Sequence, residues 1–511
     1  MILKNLKKFL THKAVAAFLS FVIQLGIILY LAIGLSLRIT QIYVFMEFLS
    51  VIIVLFLSTM TTTNPKFVLS WTIVVLGLPI VGPVLYILFG NRKMPKELLK
   101  KSALNEAHVG VSLQQDSATL NEFVHNYPQY LRSMYYVEEN IHYPVYANTL
   151  TKYYPLGELG FEAIKADIQK AKKYIYLEYF IITPGKMWDE LRTLLSQKAK
   201  EGVDVRLIYD DWGCPTFDNE YKEKLHQLGI KSYPFNELSY RFAIQMNFRS
   251  HRKLIVVDGL SGFISGINIA DEYINEKERF GHWKDNVVRI EGQAVLSLIE
   301  MFLIIWSYVS NTDLESIESY QQDIVNQEDD GYVQPFTDNP TDDHAVSETL
   351  HITAITNARH NVYICTPYLI IGYELLRALM NAAQSGVDVR IVLPGIPDKK
   401  IVNMITRSVY DKLLSAKVKV YEYTPGFIHQ KTLIVDNELA IISTANMDYR
   451  SYYLNFECGI SFYNSKVVEE STQDFEEIIS VSQEISLKQV KDLPLYVRLS
   501  RAFVGLFSGL M

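Results

Sequence analysis

Two stretches of the chain read HRKLIVVD (251–258) and HQKTLIVD (429–436). Each is His, one variable residue, Lys, a short apolar run and Asp. His251 and His429 stand 178 positions apart, and the same offset separates Lys253 from Lys431, Asp258 from Asp436, and Asn268 from Asn446. Four chemically distinct residue types in one register mark an internal duplication. The surrounding text repeats as well. GVDVRLIY (202–209) returns as GVDVRIVL (386–393), and LGIKSYPF (228–235) is echoed by AKVKVYEY (416–423). Buried-strand runs such as YIYLEYFI (174–181) alternate with helical patterns, so each copy reads as an α/β lobe.

Taken as a strand, HRKLIVVD places His251 and Lys253 on one face and Arg252 on the other. A turn and a second strand then deliver Gly266 and Asn268. An ammonium and an amide N–H suit phosphate oxygens. An imidazole suits nucleophilic attack or general acid work near neutral pH. One His-x-Lys pair arises freely, but two in register are expected to face each other across a pseudo-twofold axis. One imidazole would attack phosphorus and form a phosphohistidine. The other would protonate the leaving oxygen and later deprotonate the incoming alcohol. Lys253, Lys431, Asn268 and Asn446 would hold the non-bridging oxygens. This scheme needs no metal and no cofactor, and no ligand cluster has zinc-like spacing. The adjacent acids Asp210 and Asp211 read as a solvated turn at a strand end.

The 511 residues are 49% hydrophobic and carry a formal net charge of −7. A nucleic-acid binder usually shows a basic balance, so no nucleic-acid partner is expected. Cys214, Cys365 and Cys458 form no CxxC pair and read as free thiols in a reducing compartment. The apolar excess lies at the N-terminus, in runs at Ala14 to Leu37, Ile42 to Met60 and Phe67 to Phe89. The first and third are long enough to cross ~30 Å of hydrocarbon and the second is marginal but adequate. Basic residues flank both ends of this region, and both flanks belong in the cytoplasm by the positive-inside rule. Pro79, Gly82 and Pro83 suggest a bent or re-entrant third segment that reconciles them, and a first segment lying in the interface would do so too.

The predicted organisation is therefore a membrane anchor of two or three segments (1–90), a connecting helical region (91–144) and a first lobe (145–310). An acidic surface connector (311–342), a second lobe (343–485) and an amphipathic C-terminal segment (486–511) follow. Within the last, LPLYVRLSRAFVGLFSGLM (493–511) sets Arg498 and Arg501 among apolar residues and reads as an interfacial helix.

The doubled HxKxxxxD pattern resembles the phospholipase D superfamily, and the resemblance covers nearly the whole chain. Three further stretches are similar to bacterial cardiolipin synthases: NPKFVLSWTIVVLGLPIVGPVLYILFG (64–90), GHWKDNVVRIEG (281–292) and STANMDYRSYYLNFE (443–457). The resemblance implies a duplicated α/β sandwich with pseudo-twofold symmetry, His251 as nucleophile and His429 as acid and base. It implies that each imidazole leans on a carboxylate further along, by position Asp285 in the first half and Glu457 in the second. The motif acids Asp258 and Asp436 are implied to orient more than to react. One departure is Ser265, which stands where the family's first glycine of GG precedes the Asn. The implied reaction moves a phosphatidyl group from one phosphatidylglycerol to another, giving cardiolipin and glycerol. The implied partners are these phospholipids and a bilayer. The implied location is the bacterial cell membrane, multi-pass, with the catalytic region in the cytoplasm. The alternatives are a phospholipid hydrolase, a phosphatidylserine synthase or a nuclease of the same superfamily, and a non-catalytic membrane scaffold. Degenerate scaffolds tend to lose one motif, and here both are whole.

Overall fold

The computed structural model describes residues 21–27, 29–30, 37–59, 65–90, 109, 112–237, 247–321, 323–324, 330–341 and 344–510. They fall into two compact units. The larger holds both lobes, and the smaller holds the N-terminal helices, Asn247 and the tail from Ala502.

In the first lobe the strands are β1 (Thr149–Tyr154), β2 (Tyr174–Tyr179), β3 (Asp204–Asp210), β4 (Ile230–Phe235) and β5 (Arg249–Ser250). They are followed by β6 (Lys253–Val257), β7 (Ser261–Ser265), β8 (His282–Lys284) and β9 (Val287–Gly292). Seven of them form a sheet in the order β1-β9-β7-β6-β2-β3-β4. The second lobe brings β10 (Tyr332–Asp338), β11 (Asn361–Cys365), β12 (Leu369–Ile370), β13 (Asp388–Pro394) and β14 (Lys419–Tyr423). Then come β15 (Gly426–Ile428), β16 (Thr432–Val435), β17 (Leu439–Ser443), β18 (Met447–Asp448), β19 (Asn455–Tyr463) and β20 (Ser482–Ile485). Its sheet runs β10-β19-β17-β16-β11-β13-β14-β20. Apart from the added β20, the two orders match strand for strand, so the sequence repeat is a structural one.

The strands follow from composition. β2, β6, β11 and β16 are buried along their whole length and rich in Val, Ile, Leu and Tyr, as strands covered on both faces must be. β2, β3 and β4 are parallel and need crossovers. Helices Lys186–Lys200 and Asn219–Gln227 supply them. The apolar helix Val295–Ser310 is mostly buried and packs on β2, β6, β7 and β9, which makes it a core helix of the lobe.

The connector expected over 311–342 is only partly that. Its last third is β10, paired antiparallel with β19 over seven residues from Tyr332↔Tyr463 to Asp338↔Glu457. Tyr332, Val333 and Phe336 are buried, and this short apolar run lies hidden in an otherwise acidic stretch.

The smaller unit answers part of the membrane question. Of the first apolar run, residues 14–20, 28 and 31–36 lie outside the described residues, while 21–27 and 29–30 are helical. Among the described residues one helix, Leu37–Ser58, contains a window (Gln41–Ser58) long and apolar enough to cross a bilayer. The third run is bent. Helix Pro65–Gly77 stops, residues 78–80 turn, and a short helix resumes at Val81–Leu85. The break leaves backbone groups open, which hydrocarbon cannot satisfy. Side chains take them instead: Ile80 N donates to Gln24 Oε1 at 3.0 Å, and Ser50 Oγ donates to the Pro79 carbonyl at 3.2 Å. Gly82 is required there, because a Cβ would stand 2.4 Å from the Val74 carbonyl oxygen. Ser70 Oγ in turn donates to the Leu506 carbonyl at 2.8 Å, tying the tail to helix Pro65–Gly77.

Candidate active site

The two lobes exchange short strands. β5 pairs in parallel with the start of β19, and His251 N donates to the Phe456 carbonyl at 2.8 Å. In the mirror arrangement β15 pairs with β8, and His429 N donates to the Lys284 carbonyl at 2.7 Å. Each motif histidine is thereby seated on a strand of the other lobe. Both imidazoles and both motif asparagines line one cleft of about 590 Å³, walled by Phe180, Tyr273, Trp283 and Phe427.

The exchange decides which acid each imidazole meets. His251 Nδ1 lies 2.9 Å from both Glu457 oxygens, and His429 Nδ1 lies 2.7 Å from Asp285 Oδ2. Sequence order grouped Asp285 with the first half and Glu457 with the second; the hydrogen bonds cross that division. Glu457 also accepts from Thr444 Oγ1 at 2.6 Å and Asn455 Nδ2 at 3.2 Å. Asp285 occupies space that only a glycine leaves open, since a Cβ on Gly266 would stand 1.8 Å from Asp285 Oδ1.

Charge in the cleft is set by burial and by these pairs. Burial alone would raise both carboxylates. His251 and Lys253 hold Glu457 below the ordinary range, and His429 and Lys431 do the same for Asp285. An ionised carboxylate only accepts, so each Nδ1 carries the proton and each Nε2 keeps its lone pair. Burial pushes His251 down to about 4, with Glu457 opposing and Lys253 assisting. His429 falls to about 3 through burial and Lys431, against the pull of Asp285. Both imidazoles are neutral at rest. Burial likewise lowers Lys253 to about 7 and Lys431 to about 8, although the nearby acids oppose it.

The lysines sit behind the imidazoles. Lys253 Nζ donates to the His251 carbonyl at 2.6 Å. Lys431 Nζ bonds the His429 carbonyl and stands 2.9 Å and 3.1 Å from Nδ1 and Nε2 of that ring. The halves are therefore not equivalent: Nε2 of His429 has an ammonium beside it.

Asn268 donates through Nδ2 to the Tyr273 hydroxyl at 2.7 Å, and its Oδ1 accepts from Ile181 N at 3.1 Å. Asp258 and Asp436 do not line the cleft. Each sits in the left-handed region after its strand, at φ +53° and +55°, a conformation Asp tolerates. Asp258 accepts from the backbone N–H groups of Lys172, Lys173 and Tyr174 at 2.6–2.8 Å. Asp436 accepts from Arg359, His360 and Asn361 at 2.7–3.1 Å. Each knits its hairpin to the start of the neighbouring strand, away from the reacting groups.

Asp210 is not in a solvated turn. It is fully buried and makes a forked ion pair with Arg249, at 2.7–3.0 Å, while accepting from the backbone of Trp212, Gly213 and Ser250. The pair fixes β5 just ahead of His251. Strand alternation could have revealed Asn455, two residues before Glu457 on β19. Tyr273 and Phe180 carried no local signal, and Trp283 stood only as part of the stretch 281–292. They border the imidazoles, with ring centroids 5.4, 5.1 and 5.4 Å away.

Comparison with known proteins places the chain in a family. The family described as "Cardiolipin synthase, PLD-like domain" matches residues 164–304 and 351–479, and "Phospholipase_D-nuclease N-terminal" matches 48–91. An uncharacterised protein of Streptococcus mutans is 38% identical over 87% of this chain and 96% of its own. A cardiolipin synthase of Geobacillus kaustophilus is 35% identical over 90% of this chain and 92% of its own. The crystal structure of a phosphatidylserine synthase from Haemophilus influenzae superposes with a TM-score of 0.57 at 16% identity, covering 74% of this chain and 99% of that one. That last likeness is one of fold. The chain belongs to the cardiolipin synthase family of the phospholipase D superfamily.

Proposed function

We propose that the cleft transfers a phosphatidyl group from one phosphatidylglycerol to another through a phosphohistidine. The observation that carries this reading is the pair of imidazoles in one cleft, each fixed at Nδ1 by a carboxylate of the other lobe. Nε2 of His251 attacks phosphorus, the P–O bond to glycerol breaks, and His429 gives the leaving oxygen its proton. A hydroxyl of the second lipid then attacks the phosphohistidine while His429 takes the proton back. The resting His429 is neutral, so it takes up a proton from solvent as the anionic substrate binds. A bound phosphodiester anion favours the charged imidazole and the charged lysines together. Asn268, Asn446, Lys253 and Lys431 are assigned to the non-bridging oxygens. Asp285 and Glu457 keep each ring oriented and stabilise it when cationic.

The lipid substrate requires the chain to be membrane-associated, and the apolar helix Leu37–Ser58, whose second half falls in the matched N-terminal segment, agrees. We assign the anchor to more than one pass with the catalytic lobes in the cytoplasm, on the basic residues flanking both ends of the region. The helix Leu495–Gly505 carries Arg498 and Arg501 and leaves Leu495, Tyr496, Leu499 and Phe503 largely exposed, as an interfacial helix would.

The test supplies the full chain with labelled phosphatidylglycerol in vesicles and separates the products. Cardiolipin with glycerol supports the transferase. Phosphatidic acid alone identifies a hydrolase and removes the reading.

A further inference from the structure

Behind the acid–base imidazole lies a buried polar network. Lys284 Nζ, on β8 of the first lobe, donates to Asp474 Oδ1 at 2.5 Å and to the Pro155 carbonyl at 2.6 Å. Asp474 belongs to helix Lys466–Ser480 of the second lobe. Its other oxygen accepts from the Tyr153 hydroxyl at 2.7 Å and from Gln430 Nε2 at 2.8 Å. Asn286 Nδ2 donates to Thr432 Oγ1 at 2.9 Å. Lys284, Asp474, Tyr153, Asn286, Gln430 and Thr432 are all more than nine-tenths buried.

These contacts alternate with those of the reacting groups. Lys284 and Asn286 flank Asp285, and Gln430 stands between His429 and Lys431. Successive side chains of an extended segment point to opposite sides. Asp285, His429 and Lys431 therefore meet on one side while their bracketing neighbours are tied together on the other. The backbone closes the same joint, since His429 N donates to the Lys284 carbonyl at 2.7 Å. One residue on, Asp285 holds Nδ1 of the same imidazole, also at 2.7 Å. The carbonyl that receives His251 N belongs instead to Phe456, an apolar residue. The ionic joint thus lies on the acid–base side of the cleft. A buried charge stripped of its partner is strongly unfavourable, so such a pair resists opening.

We propose that the Lys284–Asp474 ion pair is a lock between the two lobes that positions His429 and Asp285 for proton transfer. It acts on the acid–base imidazole and leaves the nucleophile to its own supports. The inference rests on the phosphohistidine reading above, in which His429 protonates the leaving oxygen and later takes a proton from the incoming hydroxyl. Neither Lys284 nor Asp474 lines the cleft, so both are positioning residues.

The test gives the full-length wild type and Asp474→Asn two lipids, phosphatidylglycerol and phosphatidyl-p-nitrophenol, each labelled in its phosphatidyl group. p-Nitrophenolate leaves without a proton, so that lipid forms the phosphoenzyme with no help from an acid, whereas expelling glycerol needs one. Asp474→Asn keeps the side-chain shape and removes the charge. It is expected to slow phosphoenzyme formation from phosphatidylglycerol by roughly tenfold to a hundredfold, the effect of a misplaced catalytic group. First-turnover release of p-nitrophenolate is expected to keep its wild-type rate. Breakdown of the labelled adduct, chased with unlabelled phosphatidylglycerol, should slow by the same order as formation from phosphatidylglycerol. All three are rate constants per active molecule, so a lower yield of folded enzyme leaves them unchanged. If Asp474→Asn yields no active molecule, the double variant Lys284→Met/Asp474→Leu decides. It removes both buried charges together, a replacement that often leaves stability intact, and the same three rates are expected of it. Formation slowed alike for both lipids, or for neither, overturns the lock alone. A wild type that releases p-nitrophenolate without ever carrying labelled lipid overturns the phosphohistidine reading and the lock with it.

Discussion

Glu457 of the second lobe holds His251 of the first, 2.9 Å from Nδ1 to either carboxylate oxygen, and Asp285 returns the same contact to His429. Neither lobe contains a complete imidazole–carboxylate pair. The exchange of β5 and β15 between lobes makes the site inseparable from the duplication.

The crossing can be read kinetically. Glu457→Gln weakens the imidazole assigned to attack, so it should slow formation of the phosphoenzyme. Asp285→Asn weakens the acid–base imidazole, so it should slow breakdown as well and let the adduct persist. Quenched-flow measurement with labelled lipid distinguishes the two. The opposite pattern would mean that each acid serves its own half.

The lysines give a second expectation. Each is assigned a charge-assisted contact that strengthens as phosphorus becomes five-coordinate. Loss of one such donor costs ~2.7–4 kcal/mol of barrier, or roughly 10²–10³ in rate. Lys253→Met and Lys431→Met should each lose that much cardiolipin formation, and the double variant less than the product of the two. A folded Lys431→Met enzyme at near wild-type rate would show that the second copy takes no part.

Asp258 and Asp436 should behave differently. Asp258→Ala orphans three backbone donors, a loss of about 1–3 kcal/mol of stability. The melting temperature should fall while turnover per folded molecule stays within a few-fold of wild type. Thermal unfolding alongside active-site titration checks this, and a hundredfold loss of turnover at full stability would give Asp258 a chemical role.

The depressed imidazoles make the lobes acid-sensitive. An unfolded His binds a proton below about pH 6.5. His251 and His429 stay neutral until about 4 and about 3. Over that window the unfolded chain holds more protons, so stability falls as pH drops from about 6.5 toward 4. Glu457 and Asp285, held below the ordinary carboxylate range, extend the loss at lower pH. Urea midpoints of the full chain in detergent should decline between pH 7 and pH 5. His429→Gln should flatten that slope, and an unchanged slope would contradict the burial argument.

Much of this arrangement was legible in the sequence because it is periodic. The offset of 178 residues links His251, Lys253, Asp258 and Asn268 to their partners, and the two sheets repeat in the same order. The crossing of Asp285 and Glu457 was not legible. It depends on β5–β19 and β8–β15 pairings between residues about 140 to 200 positions apart, which no local pattern records. Asp210 misled for a related reason: adjacent acids at a strand end look solvated until Arg249, 39 residues on, is seen beside them. β10 is hard to read because its apolar run is short and preceded by acidic, Gln-rich text. The bend in the third apolar run was announced by Pro79, Gly82 and Pro83, but its satisfaction by Gln24 and Ser50 was not.

The measurement that bears most directly on the shared site is trapping of the phosphoenzyme. Full-length enzyme is given labelled phosphatidylglycerol, quenched in denaturant at a pH that preserves phosphohistidine, digested and mapped. The label is expected on the peptide carrying His251, absent from His251→Ala, and dependent on Glu457 from the other lobe. A label mapped to His429, or undiminished in Glu457→Gln, would contradict a single site built from both copies with His251 as its nucleophile.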